Sequence, residues 1–182
     1  MIVKILIGVA GLVALLLALA ARRPSAYRVE RRLDMAASPE RVFARLNDLR
    51  GFAGVLVLFG SPWEQSDPQM KKTFSGPAGG AGQSLAWEGN KEAGQGRMTI
   101  EESVPGRKVA IRLEFEKPLK STSLCLLTLA EAPGGTTVMW VMEGRHIFLG
   151  QVMSLFMNMD RMLGADLEKG LARLKSAVEG GA

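Results

Sequence analysis

The chain opens on an unbroken apolar run and then changes to alternating and helical patterns. From Ile5 to Ala21 no residue is charged, and Met1–Val3 extend the run around Lys4. At about 1.5 Å rise per residue, such a helix covers most of a hydrocarbon core of about 30 Å, with Lys4 free to snorkel. Tyr27 to Met35 (YRVERRLDM) then alternates polar and apolar positions, the period of a half-buried strand. Ser38-Pro39-Glu40 has the chemistry of a helix start. The serine hydroxyl can cap free amides, proline suits the first helical position, and the carboxylate complements the helix dipole. Val42, Phe43 and Leu46 fall on one face of that short helix. Between Asp48 and Asp67 the period is broken by Gly51, Gly54, Gly60 and Pro62, which predicts a second short helix and a loop.

From Met70 onward the pattern is all strand. KKTFS, the turn-rich GPAGGAG and QSLAWEG read as a hairpin. GRMTIEES and KVAIRLEFE follow, separated by Pro105-Gly106. In the latter, Val109, Ile111, Leu113 and Phe115 face one way and Arg112, Glu114 and Glu116 the other. STSLCLLTLAE and TTVMWVMEG complete the series around Pro133-Gly134-Gly135. Short turns between successive strands predict an antiparallel meander rather than βαβ units. The chain closes on a predicted long helix from about Leu149 to Val178, whose apolar stripe takes in Val152, Met153, Phe156, Leu163, Leu167, Leu171 and Leu174. The fold class is therefore α+β: a curved antiparallel sheet of about seven strands covered by a long C-terminal helix. The expected division is an anchor or signal segment over 1–23 and one domain over 24–182.

With 182 residues, 47% of them apolar and 23% charged, the composition is that of an ordinary globular domain. The one cysteine, Cys125, permits no internal disulfide and lies in a strand core. The net charge of +5 is concentrated after the apolar run, at Arg22, Arg23, Arg28, Arg31 and Arg32. Such a cluster suits anionic headgroups, and by the positive-inside rule it favours the cytoplasmic face of the inner membrane for the domain. Basic residues are not interleaved with aromatics along the domain, which argues against a nucleic-acid partner. A second reading stays open for the leading segment. Ala18-Leu19-Ala20 is an A-x-A pattern, and cleavage before Ala21 would release a secreted or periplasmic domain.

The order of elements resembles the helix-grip fold of the SRPBCC (START-like, polyketide cyclase/dehydrase and lipid transport) superfamily. The likeness runs from about Tyr27 to Glu179. It rests on ERRLDMAASPERVFARLND, SPWEQSDPQMKKTFSGPAGGAGQSLAWEGN, GRMTIEESVPGRKVAIRLEF and GQVMSLFMNMDRMLGADLEKGLARLK. Together these look like a bacterial branch carrying an N-terminal hydrophobic anchor. The resemblance implies a cavity between sheet and helix for a lipid or other hydrophobic small molecule. The residues expected to line it are Trp87, Met98, Phe115, Trp140, Met142, Met153, Phe156 and Asp160.

The chemistry of the chain is sparse. His146 is the sole histidine, at the junction of the last strand and the closing helix, and Asp160 lies four residues beyond Phe156 at the edge of the stripe. These two are the only acid/base candidates, and for each the structural reading comes first: a capping or surface residue for His146, a salt bridge at the helix edge for Asp160. No Cys/His spacing suggests a metal site, and no cofactor is expected. GPAGGAG matches neither a dinucleotide nor a P-loop pattern and reads as a turn. Glu101 and Glu102, adjacent on a strand, are expected to point to opposite faces. Three readings remain: a membrane-anchored binder of a hydrophobic small molecule or lipid, a polyketide cyclase/dehydratase-like enzyme, and a ligand-free interaction module whose protein partner the sequence does not name.

Overall fold

The computed structural model describes residues 2–58, 60–145, 148–153, 155–156 and 158–180. Helix α1 (Ile2–Ala21) leads into strand β1 (Ala26–Met35) and the short helices α2 (Pro39–Leu46) and α3 (Leu49–Ala53). Two-residue strands β2 (Val57–Leu58) and β3 (Ser61–Pro62) pair with each other ahead of a single turn, α4 (Trp63–Ser66). The meander then runs through β4 (Lys71–Ser75), β5 (Ser84–Glu88), β6 (Gln95–Val104), β7 (Lys108–Lys117), β8 (Ser121–Ala132) and β9 (Gly135–Arg145). Helices α5 (Phe148–Met153) and α6 (Met159–Glu179) close the chain.

Seven strands form one antiparallel sheet in the order β1-β9-β8-β7-β6-β5-β4. Every step but one joins neighbours in sequence; the exception pairs β1 with β9, bringing the first strand beside the last. Alternation decides which side chains face inward. Val109, Ile111 and Leu113 of β7, Cys125 and Leu127 of β8, and Val138, Trp140 and Met142 of β9 are all buried. Leu167, Leu171, Leu174 and Val178 of α6 meet them, with α6 lying chiefly along β1. This is the helix-grip architecture.

Local chemistry explains the element ends. Ser38 accepts from the Arg41 amide at 3.4 Å and caps α2, with Pro39 in the first turn. The Glu40 carboxyl is held below its ordinary range by its own backbone amide and then by the Ser38 hydroxyl. Asp48 caps α3 through the Arg50 amide at 3.0 Å.

Two expectations are corrected. The closing helix is interrupted: Asn158 has extended backbone and its side chain accepts from the Arg161 amide at 3.0 Å, so it caps a new helix instead of continuing the old one. Glu101 and Glu102 do not point to opposite faces; both are exposed. A register shift between Ile100 and Glu102 places an extra residue in β6, which cancels the alternation there. Each glutamate then pairs with a cation of β7, Glu101 with Arg112 and Glu102 with Lys108.

The glycine-rich stretch is a clamp. Gly80 donates to the Asn47 carbonyl at 2.7 Å. The buried Gln83 side chain accepts from the Leu49 amide at 2.7 Å and donates to Asp48 at 2.9 Å and to the Ala78 carbonyl at 2.8 Å. Positive φ at Gly76, Gly80 and Gly82 lets the loop fold back tightly enough for these bonds. They tie the α2–α3 corner to the sheet.

Candidate functional site

An apolar cavity of about 250 Å³ opens between the sheet and the closing helices. Leu113, Phe115 and Met142 form its sheet side. Met162, Leu163 and Asp166 of α6 form the opposite wall, and Leu58 closes one flank. At the mouth stand Leu119, Lys120, Arg145 and, from α5, Gly150 and Met153.

The polar groups in this wall are few and placed by register. Tyr27 and Ser123 are each the cross-strand partner of Gly144 in β9. A Cβ on Gly144 would meet the Tyr27 hydroxyl at 2.6 Å, so glycine there lets the ring cross the strand. The phenol oxygen thereby reaches Ser123 Oγ at 2.8 Å. Burial pushes the Tyr27 phenol above its ordinary value, against the Ser123 hydrogen bond, and the nearby Cys125 adds to the rise. The phenol is thus neutral at physiological pH and able to donate or accept. On the facing wall Asp166, 6% exposed, accepts from the Gly60 amide at 2.8 Å. Lys169 donates to the Gly60 carbonyl at 3.0 Å and Arg173 to the Gly54 carbonyl at 2.8 Å. These bonds fasten the stretch around β2 and β3 to α6, so Leu58 is a fixed part of the wall.

The residues expected from sequence fall into separate groups. Phe115, Met142 and Met153 line the cavity. Trp87, Met98 and Trp140 are fully packed core. Trp87 stacks edge-on against both Trp63 and Phe115, with centroids 5.3 Å apart, and its indole donates to the Ala93 carbonyl at 3.0 Å. Trp140 lies 5.4 Å from Phe52 and fills the space over Gly170 of α6. Phe156 is 72% exposed and does not line the cavity, because the break before α6 turns it outward. Asp160 also lies outside. It accepts from Arg31 of β1 at 3.1 Å, while Glu168 takes the same guanidinium at 2.7 Å. His146 lies outside the described residues.

Tyr27, Ser123 and Asp166 were not among the expected residues, yet the signals existed. Strand alternation alone puts Tyr27 on the inner face with Val29 and Met35, and Ser123 with Cys125 and Leu127. Asp166 follows Leu163 by three residues, one helical turn along the buried face.

Chemically the cavity can hold an apolar molecule and hydrogen-bond to it at one end. Cys125 supplies no nucleophile: it is fully buried, and burial pushes its thiol up to about 12. Among the described residues, no three His, Cys, Asp or Glu side chains group as metal ligands. A wider open groove of about 1350 Å³ crosses the outer face of the sheet. Its walls carry charges of both signs, already paired in Arg28–Glu143 and Arg112–Glu101, so it is a solvated surface.

Comparison with known proteins places these features. Protein CV1439 from Chromobacterium violaceum superposes with a TM-score of 0.56 at 18% identity, over 86% of this chain and 99% of that one. The Aha1 dimer from Colwellia psychrerythraea gives 0.54 at 18% identity, over 85% and 98%. The di-domain ARO/CYC StfQ from the steffimycin biosynthetic pathway gives 0.60 at 14% identity, over 88% of this chain and 53% of that one. At such identities the likeness is one of fold. No curated protein matches the chain. The family model described as polyketide cyclase / dehydrase and lipid transport matches residues 26–179. Since that match takes in the whole sheet and the closing helices, the chain belongs to the polyketide cyclase / dehydrase and lipid transport family.

Proposed function

We propose that the domain, residues 24–182, binds a hydrophobic small molecule or lipid in the cavity beneath α6, and that residues 1–23 hold it at a membrane. The observation that carries this reading is the cavity itself, apolar apart from the Tyr27–Ser123 pair, Asp166 and the charged residues at its mouth. Ligand pockets have this character, with apolar walls and a few placed polar groups. At about 250 Å³ it exceeds the roughly 150 Å³ that takes benzene and lies just under the usual range for drug-sized ligands. A small fused ring or a length of alkyl chain fits inside, with the rest of the molecule at the mouth. The α1 helix is long and apolar enough to cross a membrane, and its large side chains other than Leu16 stand exposed. Since Arg28 and Arg31 are paired within the domain, Arg22, Arg23 and Arg32 are left to favour the cytoplasmic face.

Native mass spectrometry of the full-length protein in detergent, with solvent extraction of what it carries, tests the reading. A defined co-purifying species, displaced by an apolar fluorophore, supports it. Protein that is repeatedly empty and shifts no apolar probe overturns it and favours an interaction module with a filled core.

A second reading, a cyclase or dehydratase, is supported by Asp166 and the neutral Tyr27 phenol facing one apolar space. In it Asp166 and Tyr27 take the acid/base role that the sequence offered to Asp160, which lies outside the cavity, and the cavity acts by holding a flexible polyketide-like substrate folded. Turnover of such a substrate that survives both Asp166→Asn and Tyr27→Phe would rule out those roles.

A further inference from the structure

Outside α1 the described residues expose four large apolar side chains, Leu119 at 49%, Phe148 at 49%, Met153 at 43% and Phe156 at 72%. Leu119 and Met153 stand at the mouth of the cavity, and Phe148 and Phe156 lie at the start of α5 and just beyond its end. They come from two places far apart in sequence, the β7–β8 turn and the segment before α6. The end of α1 joins the same corner. Ala20 is fully buried and Leu16 half-buried while the rest of α1 is open, and the element that α1 packs against is α5. Gln151 of α5 donates to the Arg23 carbonyl at 2.8 Å.

We infer that this collar is a membrane-docking surface that seats the cavity mouth in the headgroup region of an anionic bilayer, so that the ligand enters from lipid. The inference rests on the proposal that α1 lies in the membrane. If α1 spans the hydrocarbon up to Ala21, its contacts at Leu16 and Ala20 hold α5 no higher than the acyl–headgroup boundary, because one helical turn rises only about 5.4 Å. Phe148 and Met153 on α5 and Phe156 just beyond it are then at the depth where interfacial apolar side chains bury, about 5–10 Å in. Charge fits the same partner. Lys120 and Arg145 line the mouth, Lys117 ends β7 beside it, and Arg22 and Arg23 follow α1 where Gln151 of α5 meets the chain. None of the five has an ion-pair partner among the described residues. On the neighbouring surface Glu101 and Glu143 are paired with arginines, which leaves Glu92, Glu114 and Glu116 as the exposed or half-exposed acids against these five cations. Basic residues at this level are drawn to phosphatidylglycerol-type headgroups.

The test is spin-label depth on the full-length protein in vesicles of phosphatidylcholine with or without phosphatidylglycerol. Single labels go at Leu119→Cys, Met153→Cys and Phe156→Cys, with Leu12→Cys inside α1 and Glu131→Cys at the other end of β8 as references. Cys125 is fully buried and stays unlabelled. Labels at 119, 153 and 156 that meet oxygen more than a water-soluble nickel reagent, and lie deeper when phosphatidylglycerol is present, support the docking surface. If they read as Glu131→Cys does while Leu12→Cys is deep, the docking surface is overturned and the anchor stands. If Leu12→Cys is also aqueous, the anchor falls and the docking surface with it. Binding of an apolar fluorophore is measured separately, so loss of the ligand reading is distinguished from each of these.

Discussion

Gly164 of α6 leaves the space that the guanidinium of Arg31 occupies: a Cβ there would overlap Nη2. Asp160, Gly164 and Glu168 form a row at i, i+4 and i+8, and Arg31 lies along it from β1, bonded at both ends. The obstacle that an alanine would meet is the tip of a flexible side chain. Gly164→Ala is therefore expected to swing Arg31 into solvent, and the gain in helix propensity offsets the lost pairing. The unfolding midpoint should move by no more than about 1 kcal/mol in free energy. Gly170→Ala is the contrast. Its Cβ would meet the Trp140 ring at 2.7 Å, and that ring is locked in the core. Destabilisation of about 1–3 kcal/mol in a urea titration is expected.

Asp166 holds the Gly60 amide, so removing its carboxyl should loosen one wall of the cavity. Asp166→Ala is expected to lower stability by about 1–2 kcal/mol and to raise amide exchange at Leu58 and Gly60. Asp166→Asn retains the acceptor oxygen and should leave both close to the parent. Equal exchange in all three proteins would show that the bond does not fasten the segment.

Filling the cavity should abolish binding and spare the fold. Leu163 is half-buried on the cavity wall, and Leu163→Trp places a larger ring in the space. Affinity for an apolar fluorophore is expected to fall by about tenfold or more, roughly 1.4 kcal/mol, with an unchanged far-ultraviolet spectrum. Undiminished binding would place the probe elsewhere.

Alkaline pH should weaken the fold through Cys125 and Tyr27. Both have folded-state pKa values above their ordinary ones, in each case through burial first, so the folded state holds their protons longer than the unfolded chain does. For Cys125 the resulting stability is complete below pH 9.0 and is lost as pH rises towards about 12. Urea midpoints measured across that window should fall, and less steeply in Cys125→Ala. Parallel slopes in the two proteins would remove the thiol as a cause.

Much of this was legible in the chain. The alternation in YRVERRLDM and KVAIRLEFE gives β1 and β7 with their inner faces, and Ser38-Pro39-Glu40 marks the start of α2. What was lost concerned places where a local signal had two structural solutions. The apolar spacing through Val152, Phe156 and Leu163 suits one long helix, and only the cap at Asn158 shows that it is two. That break turned Phe156 outward. Asp160 and Asp166 both lie near the leucine stripe, on opposite sides of it. Which side looks into the cavity depends on α6 lying along β1, a long-range pairing that no window of sequence contains. The tryptophans were ambiguous for a different reason. Aromatic bulk fits a pocket or fills a core equally well, and here Trp63, Trp87 and Trp140 fill the core.

The pairing of β1 with β9 sets an order of events in synthesis. Strand β1 leaves the ribosome near the start, while the strand that will satisfy its amides and carbonyls is the last of the sheet to appear. Until then β1 is a bare edge, the kind of surface that recruits the wrong strand. Its outward positions are Arg28, Glu30, Arg32 and Asp34, charged at every step. A neighbouring nascent chain that tried to zip onto β1 would have to bring matching charges in register, which makes the wait for β9 a safe one.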